Sequence, residues 1–412
     1  MGNFIKDNYH KIIYLLLYLS LIVAYFFDEN VTNGAYKDLQ YTLKQVKIFE
    51  TDFFFSFFNY DTIEYPNRLS PIYISILVFF KKIFHDFDLV RLVILHFLLL
   101  NQTYFYKALK IVNCNIFNFN KKNLLVLSCV IFISPNFRAN IIWVESSMIG
   151  LLFFNIGLYY FLKNYKYFSF KNVLLNIFFI ALASYVRPSY CLFALYFFYY
   201  YFTYHKKDIS IIIIFLINIF LALPALYYVF VMKIFFIKFG GLSNNYFNKI
   251  PIIFSIISFH LLPFIYFLNF NYTKIIKLLS IAMIASGIVI FFFNYDLKLA
   301  GGGFFLHLSN LLFENNLLFY FLLPIIIYFI FQLISFSFKN NFLLIIIMIF
   351  ITPQYHIFHK YYDPLIYIIF CTIFFLNFNL KKLNAIKFNL ALYSFILFHY
   401  MISFINTYYI KF

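Results

Sequence analysis

The chain has 412 residues, of which 64% are hydrophobic, 25% aromatic and only 11% charged. Soluble domains carry roughly a quarter charged residues, so this balance excludes water as the main solvent. The formal net charge of +17 would suit nucleic acid, but no basic stripe is paired with a soluble aromatic-lined fold, and nucleic acid is excluded as a partner.

Phe occurs 66 times and Tyr 38 times against a single Trp, as expected of an AT-rich genome that writes hydrophobicity with Phe and Ile. The aromatic excess is therefore mostly codon bias. Cys114, Cys129, Cys191 and Cys371 sit in or beside apolar runs at irregular spacings, which indicates neither a disulfide framework nor a metal site.

The basic start leads into an apolar run from 12 to 27 that is closed by Asp28-Glu29, with no small-residue cleavage site. It predicts an uncleaved membrane anchor. Further runs of spanning character lie near 89–110, 124–137, 146–162, 173–186, 188–204, 209–237, 250–269, 276–293, 317–337, 342–356, 364–379 and 388–409. Allowing some of them to be short, these predict about thirteen helices. The fold class is thus an all-α polytopic membrane protein whose first partner is the lipid bilayer, with 1–412 as one membrane domain.

The stretch 71–80 (PIYISILVFF) gives only ten apolar residues before Lys81-Lys82, too few for an ordinary span. It predicts a re-entrant or interfacial segment. With a cytoplasmic start, 17 of the 32 basic residues then fall inside against two acids, and the outside is nearly balanced, as the positive-inside rule demands. The consequence is a long first outer loop from 28 to 88 holding nine of the fifteen acids. Its part from 35 to 49 is helix-compatible and would lie along the membrane surface.

Several charges have no lipid-compatible location and become candidates for chemistry. Asp28 and Glu29 close the first span, where an acid opposes the helix dipole; a solvated helix end is the alternative. Glu145 is the only acid between Asp88 and Asp208, with a plain ion pair to Arg138 as its alternative. The chain keeps Arg only at 68, 91, 138 and 187, all mapped to the outer side. Arg187 precedes Pro188 between two barely sufficient runs, and its planar fork suits a phosphate; a topological marker is the alternative there. His356, His359, Lys360 and Asp363 form a last outer cluster, weak as a zinc signal, in which Lys360 and His359 are better read as phosphate or sugar contacts. The glycines at 240–241 and 301–303 read as turns, since no phosphate-loop sequence surrounds them.

An acid closing the first span, a Pro-containing stretch in a long outer loop, an Arg opening the second span and an acid after a Ser-Pro turn together resemble the GT-C glycosyltransferases. Leu69-Ser70-Pro71-Ile72-Tyr73 is similar to the superfamily's "PPLYY" stretch with one Pro lost. Arg91 resembles the Arg opening the second span, Ser134-Pro135 with Glu145 resembles its "sP … D" pattern, and Arg187-Pro188 resembles an Arg ending the fifth span. The likeness covers about the first two hundred residues, making 89–204 the core spans and 205–412 a more variable remainder.

The resemblance implies an enzyme of cell-envelope glycan biosynthesis in a bacterial inner (plasma) membrane, with the N-terminus cytoplasmic. It would transfer a sugar, with inversion, from a polyprenyl-phosphate-linked donor to a glycan or lipid-linked acceptor. Asp28, Glu29 and Glu145 would be the catalytic acids, and Arg91, Arg138, Arg187, His359 and Lys360 would hold the donor phosphate. Asp61, Arg68, Pro71, Tyr73 and Asp363 would contact substrate. Members differ in using a divalent metal such as Mg or Mn, so the metal stays open. An outer-leaflet polysaccharide polymerase or ligase, and a multi-span transporter or flippase, are the rival readings.

Overall fold

A computed structural model of the chain describes every residue other than 1, 33, 60–68, 167, 206–208, 232–244, 271–274, 296, 298–300, 411 and 412. Among the described residues all regular elements are helices, apart from an isolated bridge between Leu268 and Phe378. Contacts divide the chain into two units, Met1–Phe239 with Ile396–Phe412, and Gly240–Phe395.

The first unit holds α1 (Gly2–Phe26), α2 (Gly34–Thr51), α3 (Phe53–Phe58), α4 (Pro71–Phe84), α5 (Phe87–Leu98) and α6 (Leu100–Ile116). It continues with α7 (Lys121–Cys129), α8 (Pro135–Ile142), α9 (Ser146–Lys166), α10 (Phe170–Val186), α11 (Cys191–His205) and α12 (Ile209–Leu226). The second holds α13 (Tyr246–Ile265), α14 (Ile275–Phe292), α15 (Phe304–Phe313), α16 (Leu317–Phe336), α17 (Phe338–Phe350) and α18 (Leu365–Thr372). α19 (Ala385–Ile405) runs from the second unit into the closing segment of the first.

Eight helical stretches among the described residues are long and apolar enough to cross a membrane: Asn8–Phe26, Phe87–Asn113, Ser146–Tyr165, Ile209–Phe230, Tyr246–Ile265, Ile275–Phe292, Leu317–Phe336 and Ala385–Tyr409. A ninth is counted if Lys121–Ile133 and Pro135–Ile142, bent by 68°, form one span. The expected count near thirteen is larger because hydropathy runs straight through residues that end helices. Ser134 caps α8 by accepting from the Phe137 amide, with Pro135 at its first position. Pro188 forces Arg187 into extended backbone (φ −136°, ψ 100°), which separates α10, 17 residues, from α11, 15 residues. The runs near 342–356 and 364–379 likewise yield helices of only 13 and 8 residues.

The segment that decides the expected topology is α4, a 14-residue helix. Ser70 caps it through the Ile72 amide, Pro71 occupies its first turn, and Lys81 and Lys82 sit in its last turn, favourable to the helix dipole. It packs against α2, α5 and α10 through a buried face that includes Tyr73, Ile74, Leu77 and Val78. Lys81 reaches Glu50 of α2 at 2.7 Å, which fastens α4 to the loop helix before it.

Close packing in the first unit depends on Gly150 of α9. A Cβ built there would lie 2.9 Å from the Tyr190 ring and 3.0 Å from the Arg187 Cβ, so the turn carrying Arg187 is seated directly on this glycine. In the second unit, Gly301–Gly303 all have positive φ, and a Cβ on Gly301 would fall 2.8 Å from the Ile357 carbonyl oxygen. They make a close backbone approach rather than a slack turn.

Gly150→Ala is expected to lower the melting temperature of the purified protein, by about 1–3 kcal/mol of overpacking. Gly287→Ala in α14, where nothing lies within 4 Å, should leave stability unchanged or raise it slightly, since Ala suits a helix better than Gly. Equal behaviour of the two variants in a thermal unfolding assay would contradict this seating of Arg187.

Candidate functional site

Two helices of the first unit end in the same turn, and each delivers a glutamate. At the end of α1 the Asp28 amide bonds the Tyr25 carbonyl at 3.1 Å and the Glu29 amide bonds Ala24 at 2.9 Å, with Asp28 left-handed at φ +48°. This is a Schellman turn, and Asp tolerates the position usually given to Gly. At the end of α8 the Glu145 amide bonds the Asn140 carbonyl at 2.8 Å, with Val144 at φ +50°. A β-branched residue in that region is strained, at roughly 1–3 kcal/mol.

Glu29 meets Arg138 of α8 in a two-point pair, Nε to Oε1 and Nη2 to Oε2, both 2.8 Å. Arg138 also donates to Ser20 Oγ at 3.0 Å and to the carbonyls of Phe132 and Ser20, and its guanidinium lies 5.4 Å from the Tyr400 ring centroid. Side-chain exposure is 9% for Arg138 and 12% for Glu29. The pair is therefore a buried, saturated fork that ties α1 to α8. The ion pair considered between Arg138 and Glu145 is replaced by this one.

Arg91 of α5 donates through Nη2 to Asp28 at 2.9 Å, through Nη1 to Asp88 at 3.0 Å and through Nε to the Ile142 carbonyl at 3.2 Å. Its guanidinium lies over the Trp143 ring at 4.3 Å and the Tyr25 ring at 5.1 Å. The Trp143 indole N–H donates to the Glu29 carbonyl at 2.9 Å, which links the two arginine centres. Arg91 is 7% exposed, but the carboxylates of Asp28 and Asp88 are 63% and 71% exposed. A buried cation thus holds two accessible acids in fixed positions.

Glu145 is buried and accepts from the Ser147 hydroxyl at 3.1 Å. The buried Tyr73 of α4 donates its hydroxyl to the Val144 carbonyl, and Ser70 donates to the Tyr185 carbonyl. Burial, and secondarily the nearby Glu145 charge, push the Tyr73 phenol well above its usual range, so it remains a donor. The first turn of α4, which begins with Pro71, is in this way bonded to the turn bearing Glu145 and to the end of the helix bearing Arg187.

Asp28, Glu29, Arg91, Arg138, Trp143 and the Val144-Glu145 turn accordingly form one connected cluster, with Pro71 and Tyr73 beside it and Arg187 reached through α4. Asp61 and Arg68 lie outside the described residues. His359, Lys360 and Asp363 belong to the second unit, where the His260 and His359 rings are 5.6 Å apart and His260 bonds the Tyr367 hydroxyl at 2.7 Å. Asp363 is buried there, its amide bonding the His359 carbonyl, and Lys360 approaches the Phe358 ring. Among the described residues no three His, Cys, Asp or Glu side chains converge as a metal would require. Asp88 and Trp143 were not singled out from sequence; the three-residue spacing of Asp88 and Arg91 on one helix and the uniqueness of Trp143 were signals for both. No protein-family model, curated protein or solved structure matches the chain.

Glu29→Gln leaves the Arg138 charge buried without its partner and is expected to cost roughly 3–5 kcal/mol of stability. Asp28→Asn, at an exposed carboxylate, should cost less than about 1 kcal/mol. Thermal unfolding of the two single variants and of Glu29→Gln with Arg138→Gln, which should recover part of the loss, checks the assignment of Glu29 as a buried counter-ion.

Proposed function

We propose that the chain is a membrane glycosyltransferase of the GT-C kind, moving a sugar with inversion from a polyprenyl-phosphate donor to a glycan or lipid-linked acceptor at the outer leaflet. A long first outer loop and a cytoplasmic N-terminus in a bacterial inner membrane belong to this reading. The observation that carries it is the exposed carboxylate of Asp28, fixed at 2.9 Å on a buried arginine at the end of the first helix. A general base needs both accessibility and a fixed direction, and Asp28 combines them. Glu29, closed in its fork, acts as a positioning residue.

In the proposed reaction the acceptor oxygen attacks the anomeric carbon from the face opposite the phosphate. The carbon–oxygen bond to the phosphate breaks, its electron pair leaves with the polyprenyl phosphate, and the hydroxyl proton passes to Asp28. The departing phosphate gains charge and needs cationic donors. Arg91 and Arg138 direct their forks to carboxylates of the chain, and Arg187, at the end of α10, is the proposed phosphate contact. Glu145 and Tyr73, both buried and bonded within the chain, would act as positioning residues in this reading.

Purified protein offered a panel of polyprenyl-phosphate sugars should transfer at least one of them, and Asp28→Asn should lower the rate by about 100-fold or more while folding persists. Wild-type rates in a folded Asp28→Asn variant would sink this base assignment. Trp143, the single Trp, supplies a binding signal, since a donor reaching the cluster should change its fluorescence in both proteins.

The proposed orientation has its own test. Asn59→Cys in a Cys191→Ser background should react with a membrane-impermeant thiol reagent on intact cells. Labelling only after lysis would place the loop on the other side.

A further inference from the structure

The start of α13 contains a buried cation that no described residue balances. Lys249 stands in the first turns of this 20-residue helix and is 3% exposed. Among the described residues no carboxylate or other acceptor bonds its ammonium, and the group it approaches is the Tyr246 ring, 5.9 Å away at the centroid. Tyr246 is the first residue of α13, so the side chain turns back toward the helix start, as helical side chains do.

That helix start is itself electropositive. Its first amides have no acceptor within the helix, and the macrodipole adds partial positive charge. Asn245 satisfies the Asn248 amide at 3.2 Å through its side chain and the Lys249 amide at 3.2 Å through its carbonyl. Among the described residues no acceptor bonds the amides of Tyr246 and Phe247. Asn248 is pinned by Asn294, receiving its amide hydrogen at 2.8 Å and donating back at 2.7 Å, which makes the turn rigid. A lysine here works against the dipole, and burying it without an acid adds a desolvation cost. Nothing in the helix is gained by it.

We propose that Lys249 and the first turn of α13 form an anion site for a phosphate group, supplied by a phospholipid headgroup or by free phosphate. A phosphate brings the missing negative charge together with acceptors for the ammonium and the two spare amides. The site lies in the second unit and stands independently of the transferase reading.

The test uses the full chain purified in a phosphate-free maltoside detergent, with thermal unfolding measured at constant ionic strength. Inorganic phosphate, or phosphatidylglycerol added to the micelles, should raise the melting temperature of the wild type, whereas chloride should not. Response to inorganic phosphate alone identifies a free anion, and response to phosphatidylglycerol alone identifies a lipid headgroup. Lys249→Met should remove that shift, weakening binding at least tenfold, and in the absence of anion should be no less stable than the wild type. If Lys249→Met does not fold, Lys249→Gln serves for loss of charge, and Lys249→Arg should retain the shift. An equal shift in wild type and the neutral variant, or no shift with either phosphate source, overturns the proposal and leaves Lys249 as a cation that only snorkels toward water.

Discussion

A buried guanidinium cannot be neutralised by losing its proton, so the chain around it must supply acids and carbonyls. Arg138 and Arg91 impose that requirement on the first unit. Glu29 answers the first, and Asp28 with Asp88 answers the second, so the end of α1, the start of α5 and the whole of α8 are fixed with respect to one another. Trp143 lies on Arg91 and bonds the Glu29 carbonyl, so neither ion pair can move without the other. The loop helices are then hung on this frame: α4 through Tyr73 and Ser70, and α2 through Glu50.

The acids are delivered by backbone geometry rather than by long side chains reaching across space. Two helices end in a left-handed residue closed by a long backbone bond, and in each the residue after the left-handed position is a glutamate whose amide is spent on the turn. At the first turn Asp fills the left-handed position at little cost. At the second it falls to Val144, buried and strained, with Tyr73 donating to its carbonyl. A position that costs energy and is held by a buried phenol fixes the following side chain more tightly than a Gly would.

What the sequence reveals here follows from what local chemistry encodes. The brevity of α4 was legible because Ser70-Pro71 is a start signal and Lys81-Lys82 a stop signal for an apolar helix. Asp28-Glu29 at the end of the first span was legible because charge cannot continue into lipid. The span count was not, because codon bias fills turns as well as helices with Phe and Ile, so hydropathy carries on across Ser134-Pro135 and Arg187-Pro188 where the backbone stops. The pairing of Arg138 was not legible either: Glu145 is seven residues away in the chain and Glu29 is 109, yet the fork closes on Glu29. Separation in sequence carries no information about which acid a bent helix pair will bring to a buried cation.

The exposures of two adjacent residues separate their roles more sharply than their identities do. Asp28 and Glu29 follow one another at the same helix end, and by position alone either could serve as a base. The Schellman turn points them in different directions, one carboxylate to a buried fork at 12% exposure and the other outward at 63%. A carboxylate that accepts two charged hydrogen bonds in a buried pair cannot turn away without uncovering Arg138. Asp28 spends one oxygen on Arg91 and leaves the other toward solvent. A single turn thus converts two chemically similar acids into a fastening and an accessible carboxylate.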